Sequence, residues 1–422
     1  MKVMVTVGSS DIEGRIVAPS SKSMTHRAII CSALAQGRSR VDHPLSADDT
    51  EATLRVLQAL GVGVEKLKGS WSIEGGELSP PREDLDCGES GTTLRLMTTV
   101  CALVKGPSVL KGGPSLSSRP IEPLLDALRQ LGIDCESQEG NPPVKVHGKG
   151  GFKVDEVSIR GDISSQFVSA LLLVAPFARE SLRVEITTRL ESAPYVGMTL
   201  DAMRAFGVQV ETSEGCREFN VKRQAYSPTT FTVEGDWSSG AYMLAAGALA
   251  GKVSVENLQP GSRQADAVFA EILSKMGAEP KFHGKEVRVE CTRLKAIDWD
   301  LTDSPDLFPV VAALCSAAEG ESRIRGIRRL RLKESDRIAS MVEGLSRMGV
   351  KTESSDEAMT IHGGAPKGAV IDPHDDHRIA MAFGVLGLAA RGETTIKDAE
   401  CVSKSYPDFW EDLEALGARI GR

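Results

Sequence analysis

Six segments with the same pattern of apolar and polar positions predict amphipathic helices that each end at a glycine. Apolar residues recur every three or four positions in each segment, and a short β-like run follows the glycine. The glycines are spaced by 71, 75, 70, 72 and 68 residues and are Gly61, Gly132, Gly207, Gly277, Gly349 and Gly417. Because glycine readily adopts the left-handed conformation that ends a helix, we expect a helix C-terminus at each of them.

A second helix repeats in the same register and is apolar on nearly all sides. Its copies lie at 23–37, 91–106, 164–180, 238–251, 304–320 and 377–392. A helix that is apolar all round is typical of a protein interior, so these six should be buried. β-rich runs fill the gaps, at 183–188, 252–257, 286–290 and 393–400, and residues 1–14 alternate like a strand.

Each unit of about 70 residues therefore holds two helices and several strands, which is a supersecondary module repeated six times. Six such modules are too many for one small core, and the extended stretch 221–235 separates three from three. We predict an α/β protein with two lobes of three repeats, at residues 20–230 and at 1–19 plus 231–422. The first strand would then belong to the second lobe.

The composition indicates a globular protein and excludes two classes of function. Of 422 residues, 41% are hydrophobic and 26% charged, and the net charge is −8 without a basic tail or stripe. This charge argues against nucleic-acid binding. The longest apolar stretches, such as 170–178, are too short to span a membrane, and no signal peptide is evident, so we expect a cytoplasmic protein.

Cysteine and histidine give little support for a metal site. The eight cysteines form no CxxC pair, which favours reduced core thiols. The segment "PHDDHR" (373–378) offers His374 and His377 beside Asp375 and Asp376, but no third ligand cluster accompanies it. We predict no metal and no cofactor.

Unusual polar residues cluster where the apolar helices begin. Serine and aspartate cap helices, which explains "GDWSSGAY" (235–242) and most of "GDISSQF" (161–167). Capping does not explain the cations at other helix starts, which are Lys22, Arg27, Arg95 and Arg378. A cation is disfavoured at a helix N-terminus, so the Lys22 side chain either reaches water or is compensated by a bound anion.

Further cations precede other helices, and two acids accompany them. The cations are Arg119, Lys333, Arg337 and Lys404. If the lobes face each other, these side chains converge on a cleft that suits small anionic substrates. Asp306 beside such cations would stay ionised and could act as a general base, whereas Glu334 could be only a member of a salt bridge. No Walker loop, GxGxxG fingerprint or Ser–His–Asp set is evident.

Six motifs in order along residues ~13 to 410 resemble one family. They are "APSSKSMTHRAI", "SRPIEPLLDALRQLG", "GDISSQF", "LRLKESDR", "DDHRIAMAF" and "SKSYPDF", and they are similar to 3-phosphoshikimate 1-carboxyvinyltransferases (EPSP synthases). The resemblance implies a two-lobed inverse α/β barrel of six βαβαββ repeats, three per lobe, closing on its substrates. It implies transfer of the enolpyruvyl group of phosphoenolpyruvate to the 5-hydroxyl of 3-phosphoshikimate through a tetrahedral intermediate, with release of phosphate.

The resemblance also assigns site residues by motif. It implies that 3-phosphoshikimate is bound by Lys22, Ser23, Arg27, Ser164, Ser165, Gln166, Ser192, Asp306 and Lys333. Phosphoenolpyruvate would be bound by Lys22, Gly91, Arg119, Gln166, Arg337, Arg378 and Lys404. Asp306 would be the base and Glu334 the acid, with Lys22 assisting, although the basic neighbours of Glu334 disfavour its protonated form. We expect a monomer with these two substrates as its only partners.

Two positions depart from the family pattern, and three alternatives are weighed. Glu89 stands where asparagine is common and could pair with a neighbouring cation, and Arg329 stands where asparagine or histidine is common. A UDP-N-acetylglucosamine enolpyruvyl transferase is disfavoured because the loop 105–120 lacks its reactive cysteine. A silent ligand-binding scaffold would not need both acids, and the acidic net charge disfavours an RNA-end cyclase.

Overall fold

Twelve α-helices lie within residues 3–422, which a computed structural model of the chain describes; the predicted strand character of residues 1 and 2 falls outside that range. The helices are α1 (Lys22–Leu34), α2 (Asp48–Ala59), α3 (Gly91–Cys101), α4 (Glu122–Gln130), α5 (Ser165–Val174), α6 (Ala193–Ala205), α7 (Trp237–Ala250), α8 (Phe269–Lys275), α9 (Phe308–Ala317), α10 (Arg337–Arg347), α11 (His377–Gly387) and α12 (Phe409–Ala415).

Twenty-four strands accompany these helices in the described chain. They are β1 (Val5–Gly8), β2 (Ile12–Val17), β3 (Gly37–Asp42), β4 (Gly63–Leu67), β5 (Ser70–Gly75), β6 (Leu85–Asp86), β7 (Lys105–Lys111), β8 (Asp134–Gln138), β9 (Asn141–Lys149), β10 (Glu156–Ile159), β11 (Ser181–Ile186), β12 (Glu211–Thr212), β13 (Glu218–Lys222), β14 (Thr230–Thr232), β15 (Gly251–Glu256), β16 (Lys281–His283), β17 (Glu286–Glu290), β18 (Asp298–Asp300), β19 (Glu321–Arg325), β20 (Lys351–Ser354), β21 (Ala358–His362), β22 (Val370–Ile371), β23 (Thr394–Ile396) and β24 (Arg419–Gly421).

The strands form six four-stranded sheets with one shared pairing pattern. Every sheet has one parallel pair followed by two antiparallel pairs, as in β6–β7–β9–β8. The other sheets are β14–β3–β5–β4, β10–β11–β13–β12, β2–β15–β17–β16, β18–β19–β21–β20 and β22–β23–β1–β24. The chain order β6–α3–β7–α4–β8–β9 is the expected βαβαββ repeat, and the predicted α/β class with six repeats is confirmed.

Two compact units divide the repeats equally. One comprises Ser20–Val233, with α1–α6 and three sheets; the other comprises Glu234–Arg422 with the residues up to Pro19, and holds α7–α12 and three sheets. The first unit ends three residues beyond the expected 230, because β14 pairs in parallel with β3. The N-terminal strands β1 and β2 pair with β23, β24 and β15, so both strands belong to the second unit.

The helix boundaries follow the sequence pattern. All six repeat glycines have positive φ, with values of 94°, 77°, 86°, 92°, 77° and 100° in chain order, which confirms the predicted left-handed helix ends. The six apolar helices, α1, α3, α5, α7, α9 and α11, are buried almost throughout, as predicted, and each unit has its own hydrophobic core.

Thiols lie mainly in these cores. Six cysteines are buried, Cys216 is half-buried and Cys291 is exposed, and none of the eight forms a disulfide. The expectation that most of the cysteines are core thiols is therefore confirmed. Burial raises the pKa of the Cys31 thiol to about 12, so it stays protonated at neutral pH.

Within residues 3–422, every helix is too short or too polar to cross a membrane.

Candidate functional site

Lys22 is the first residue of α1, and its charge is balanced within the protein. Its Nζ lies 2.8 Å from Oδ2 of Asp49, which is in the first turn of α2, and both side chains are largely buried. The sequence readings of water or a bound anion did not include this carboxylate, and an anion at Lys22 stays a prediction. The acidic start of α2, which the same repeat supplies, was the signal for Asp49.

A chain of buried hydroxyl groups connects the starts of three helices beneath Lys22. His26 Nδ1 lies 2.8 Å from Thr53 Oγ1, and Thr53 Oγ1 lies 2.6 Å from Thr93 Oγ1. Thr93 Oγ1 also lies 3.1 Å from the Asp49 carbonyl oxygen and 2.8 Å from Ser90 Oγ, either of which can accept its single proton. Burial, aided by Lys22 and Arg27, holds the pKa of His26 well below its usual range, so the imidazole is neutral at neutral pH.

Arg27 and Ser23 lie in α1, and Ser192 lies just before α6 of the same unit. Arg27 Nε donates to Thr199 Oγ1 (2.8 Å), Nη2 to the Tyr195 carbonyl (3.0 Å) and Nη1 to the Ser23 carbonyl (2.8 Å). Burial lowers the pKa of Arg27 to about 10, which keeps it charged at neutral pH. Ser192 precedes α6 in a left-handed conformation (φ 55°) and is buried.

Gly91 begins α3 where two guanidinium groups crowd the backbone. A Cβ at this position would lie 2.7 Å from Arg119 Nη1 and 3.4 Å from Arg95 Nη1, so a side chain here would require the Arg119 guanidinium group to move. Ser90 caps the helix by accepting from Thr93 N (3.2 Å). A helix start with free N–H groups and nearby guanidinium groups favours a bound anion.

Gln166 is held by Arg95, which the site prediction did not include. Arg95 Nη1 donates to Gln166 Oε1 (2.7 Å), and Gln166 Nε2 donates to Thr92 Oγ1 (3.0 Å). Ser164 caps α5 by accepting from Gln166 N (3.3 Å), and Ser165 is buried beside it. The signal for Arg95 was its position one turn after Gly91, on the same face of α3.

Within residues 3–422, Glu89 pairs with a backbone N–H group rather than with the neighbouring cation that the sequence allowed. Its Oε2 accepts from the backbone N–H of Leu116 (2.8 Å), at the short 3₁₀-helix Leu116–Ser118 that precedes Arg119. A Cβ at Gly113 would lie 2.1 Å from Glu89 Oε1, so the carboxylate packs directly on that loop. Glu89 therefore fixes the loop that carries Arg119.

Asp306 lies among three cations in the second unit. Its carboxylate is 2.9 Å from Arg337 Nη1, 3.2 Å from Arg378 Nη2 and 3.3 Å from Lys333 Nζ. Burial raises the pKa of Asp306, but Arg378, Lys333 and Arg337 outweigh burial and hold it well below its usual range. Burial also lowers the pKa of Lys333.

Arg337 joins three carboxylates and is only 1% exposed. Besides Asp306, its Nε contacts Asp376 Oδ2 (2.8 Å) and its Nη2 contacts Glu334 Oε2 (2.6 Å). Asp376 also caps α11 by accepting from Arg378 N (2.9 Å). The pairing with Arg337 compensates for the burial of the Asp376 carboxylate, because an unpaired buried carboxylate would be strongly destabilising.

Lys404 completes the predicted set and pairs with the residue before Asp376. Its Nζ donates to the Asp375 carboxylate (2.6 Å) and to the Asp375 carbonyl (2.7 Å). The two aspartates of "PHDDHR" thus face cations. No cluster of three or more His, Cys, Asp or Glu side chains suited to a metal occurs in residues 3–422. Arg329 donates to the Thr302 carbonyl (2.6 Å).

Asp266 is a further carboxyl group near Asp306 that sequence reasoning missed. It lies on the 3₁₀-helix Ala265–Val268, is 1% exposed, and accepts from Ser238 Oγ at the start of α7. Burial, together with the charges of Asp306 and Asp236, raises its pKa to about 7 against the opposing effect of Arg378. Only the fold brings this residue, from an unremarked segment, beside the cluster.

The structure thus brings the predicted residues together as one group in each unit. The unit of residues 20–233 holds Lys22, Ser23, Arg27, Gly91, Arg119, Ser164, Ser165, Gln166 and Ser192. The other unit holds Asp306, Lys333, Glu334, Arg337, Arg378 and Lys404. Each group presents cations held in place by carboxylates or carbonyl oxygens, an arrangement that can bind anions and place a carboxylate beside them.

The chain matches relatives of one kind over nearly its whole length. It is 44% identical over 409 residues to a 3-phosphoshikimate 1-carboxyvinyltransferase of Dehalococcoides mccartyi, covering 96% of each chain. It is 44% identical over 418 residues to the enzyme of the same name from Methanothermobacter thermautotrophicus, covering 98% of each. Among solved structures, an EPSP synthase from Acinetobacter baumannii matches with a TM-score of 0.82, 29% identity and full coverage of both chains.

A family model gives the same result independently of single relatives. The model for EPSP synthase (3-phosphoshikimate 1-carboxyvinyltransferase) matches residues 6–413. This range contains every residue of both groups and extends into all six repeats of the fold. The chain therefore belongs to the EPSP synthase family.

Proposed function

We propose that the chain transfers the enolpyruvyl group of phosphoenolpyruvate to the 5-hydroxyl of 3-phosphoshikimate and releases phosphate, as an enzyme of the shikimate pathway. The family match over residues 6–413 supports this reaction. The observation that carries it is the Asp306 carboxylate within 3.3 Å of three cations, because it combines a base with groups that bind anions.

Both substrates are anions, and the two groups of residues supply matching charge. We assign 3-phosphoshikimate to Lys22, Ser23, Arg27, Ser164, Ser165, Gln166, Ser192, Asp306 and Lys333. We assign phosphoenolpyruvate to Lys22, Gly91, Arg119, Gln166, Arg337, Arg378 and Lys404. The crowding of Gly91 by Arg119 supports an anion at the start of α3, since a guanidinium group already lies beside the free N–H groups there.

The reaction requires three proton transfers and no redox step. The 5-hydroxyl oxygen attacks C2 of phosphoenolpyruvate and loses its proton, while C3 gains a proton and becomes a methyl group. The tetrahedral intermediate then loses a proton from that methyl group, and the C2–O bond to phosphate breaks. Phosphoenolpyruvate thus supplies its own leaving group, so the chemistry calls for no cofactor.

Asp306 is the proposed base for the hydroxyl proton. The three cations hold its pKa well below the usual range, which makes it a weak base while it faces them alone. Anionic substrates bound to Lys333, Arg337 and Arg378 would offset that positive charge and raise the pKa of Asp306. Substrate binding therefore activates the base, and the carboxylate stays inactive until the anions arrive.

Glu334 is the proposed acid for C3, with Lys22 assisting. Its carboxylate lies 2.6 Å from Arg337 Nη2, a contact that favours the ionised form. When phosphoenolpyruvate takes part of the Arg337 charge, this stabilisation weakens and protonation becomes easier. The same substrate would thus prepare both carboxylates for opposite roles.

A phosphate-release assay tests the reaction directly. Phosphate is measured with 3-phosphoshikimate and phosphoenolpyruvate together and with each alone, and release only from the pair is expected. No release from the pair would overturn the enzyme reading and leave a ligand-binding scaffold. Mass spectrometry of the product checks that the organic product carries the enolpyruvyl group.

Replacing Asp306 by asparagine tests the assigned base. Asp306→Asn keeps the side-chain shape and should lower kcat by about 10²- to 10⁴-fold, because general-base catalysis is lost. The matched control is Asp356→Asn, which removes an exposed partner of Arg331 in the same unit and should leave kcat unchanged. Equal kcat for Asp306→Asn and the unmodified protein would contradict the assignment.

We also propose that the enzyme acts as a monomer in the cytoplasm and needs no metal. The eight free cysteines support a reducing compartment. Light scattering after size exclusion measures the mass in solution, and a value of twice 45.1 kDa would overturn the monomer. A chelator should leave the rate of phosphate release unchanged.

A further inference from the structure

A cavity of about 420 Å³ lies in the unit of residues 20–233, at the C-terminal end of α4. Its wall combines the segment 131–133 after α4, the segment 149–154 after β9, and residues 177, 179 and 223. Arg119 lies before the N-terminus of α4, and nine helical residues, about 14 Å, separate the two ends. None of the residues assigned to either substrate lines this cavity.

Apolar side chains contribute much of the cavity wall. Leu131, Ile133 and Phe152 are buried, with Phe152 only 3% exposed, while Phe177 is half-buried and packs 6.2 Å from the ring of Tyr226. Val154 lies at the rim and is exposed. This volume and lining match the sites that proteins use for small organic molecules.

Four cations surround the same cavity, and none of its lining residues is acidic. Lys149, Lys153, Arg179 and Arg223 form no ion pair within residues 3–422. Lys149 donates to the Gly132 carbonyl (2.5 Å) and Arg223 to the Arg179 carbonyl (3.4 Å). Nearby cations of the adjoining sheet do have acidic partners, as Arg183 has Glu218 (3.3 Å) and Lys222 has Glu211 (3.2 Å).

Two adjacent repeats meet at this cavity, and the residues at their junction differ from those at corresponding junctions. Isolated parallel bridges occur at three corresponding places, Phe152 with Ala178, Lys295 with Glu319, and Lys367 with Arg391. The first pair has Phe152 where the other two pairs have lysine. It has Ala178 where they have Glu319 and Arg391.

The backbone at Phe152 also differs from the backbone at the two corresponding lysines. Lys295 N and Lys367 N donate to the carbonyls of Met276 and Met348 (2.8 and 2.9 Å), which closes the strand-like segment against the preceding helix end. Before Phe152, Gly150 and Gly151 have positive φ (76° and 139°), and the segment turns away there. The aromatic floor and the unmatched cations therefore lie together where these two repeats meet.

We propose that this cavity is a binding site for a small organic anion that carries an apolar ring. The ring would pack on Phe152 and Phe177, and its carboxylate, sulfonate or phosphate would meet Arg179, Arg223 and the neighbouring lysines. Four like charges around one cavity repel each other, and an anion relieves that repulsion in a protein whose net charge is −8. The site is independent of the proposed reaction.

A fluorescence titration with 1-anilinonaphthalene-8-sulfonate tests the site on the full chain at low salt. This probe has aromatic rings and one sulfonate, and saturable binding to one site is expected. Arg179→Ser with Arg223→Ser should weaken binding at least about tenfold, because two charged contacts are lost. The matched control, Arg183→Ser with Lys222→Ser, removes paired cations and should change the Kd by less than about twofold.

Shape and location are tested with a second variant and with competitors. Val154→Trp keeps all four cations but fills the cavity mouth, so it should weaken binding as well. Inorganic sulfate alone should compete weakly, and saturating 3-phosphoshikimate with phosphoenolpyruvate should not displace the probe. Circular dichroism melting checks that the double serine variant and Val154→Trp are folded. Their melting temperatures should be unchanged, because all three positions are exposed.

Three results would each overturn the proposal. They are unchanged affinity in the Arg179 and Arg223 variant, unchanged affinity in Val154→Trp, and displacement of the probe by the two substrates. The first result would show that the two arginines do not bind the probe. The second would show that the probe binds a charged surface outside the cavity, and the third that it binds at the substrate residues. Binding needs no turnover, so failure of the proposed reaction would leave this test valid.

Discussion

Single residues of the site act as paired charges rather than as isolated cations. Lys22 faces Asp49, Lys404 faces Asp375, and Arg337 faces Asp376 along with Glu334 and Asp306. A cation fixed by a carboxylate loses little freedom when a substrate anion binds, so the pairs prepare the site in advance. The same pairs stabilise the buried carboxylates, since a buried charge without a partner is strongly destabilising.

Asp266 gives a prediction for the pH dependence of stability. Its pKa is raised to about 7, chiefly by burial, against an ordinary value of 3.8. An acid with a raised pKa favours the folded state when protonated, and this stability is lost as the pH rises from about 4 to about 7. Asp266→Asn should therefore raise the free energy of unfolding at pH 8 by about 2 to 4 kcal/mol and have little effect at pH 4.

Urea unfolding at the two pH values measures this difference. The amide introduced by Asp266→Asn would keep an oxygen that accepts from Ser238, so the comparison isolates the charge. Asp298→Asn is the control, because Asp298 forms an exposed ion pair with Arg325 and should give the same small change at both pH values. An equal gain for Asp266→Asn at pH 4 and pH 8 would show that its ionisation does not matter.

At the scale of elements, the helix starts are linked by side-chain hydroxyl groups. Thr53 of α2 contacts both His26 of α1 and Thr93 of α3, and all three are fully buried. The same helices begin at Lys22, Asp48 and Gly91, so the chain of hydroxyl groups sets the spacing of the residues proposed to bind substrates. Apolar packing alone would allow these helices to shift along one another.

Thr53→Val tests this link between helices. The variant keeps the shape of the side chain but leaves His26 Nδ1 and Thr93 Oγ1 without that partner. It should lower the free energy of unfolding by about 1 to 3 kcal/mol and raise the KM for phosphoenolpyruvate. Chemical unfolding and steady-state kinetics measure the two effects.

Thr98→Val is the matched control on α3. The Thr98 hydroxyl is equally buried but donates only to the Leu94 carbonyl of its own helix (2.7 Å). Its loss should cost about 1 kcal/mol or less and leave the KM unchanged, since no second helix is involved. The link would be refuted if both variants changed the KM by the same factor.

For the whole molecule, each of the two units has its own core and its own sheets. Every sheet draws its four strands from one unit, and the unit Ser20–Val233 is a continuous segment. The other unit is discontinuous, because β1 and β2 come from the N-terminal end of the chain and pair with β23, β24 and β15. Strand pairing therefore determines where the chain divides.

A fragment of residues 20–233 should fold on its own with a single cooperative unfolding transition. Its three sheets and its buried helices α1, α3 and α5 need no strand from the other unit. Circular dichroism and urea unfolding of the fragment measure this. A non-cooperative, urea-insensitive signal would contradict the prediction.

A shorter fragment ending at residue 228 provides the control. It lacks β14, whose parallel pairing with β3 runs from Thr230↔Arg40 to Thr232↔Asp42. The exposed edge of β3 should make this fragment less stable than 20–233 and more prone to association. Equal stability of the two fragments would show that β14 adds nothing to the unit.

The sequence by itself determined the repeats and the helix ends, and it selected most of the residues that we propose for the site. Periodicity reports which face of a helix is apolar, and a glycine with positive φ needs no tertiary contact to end a helix. The motifs around Lys22, Arg119, Asp306 and Arg378 are local strings, so a family resemblance could be read from them directly. These features depend on neighbours within a few residues.

Only the tertiary structure decided what each charged group faces. Asp49 lies 27 residues from Lys22, Asp376 lies 39 residues from Arg337, and Glu89 accepts from Leu116 rather than a cation. The neutral state of His26 and the raised pKa of Asp266 follow from burial and from charges brought together by folding. Electrostatic energy depends on distance through space and on exclusion of water, and neither quantity is written in the order of residues.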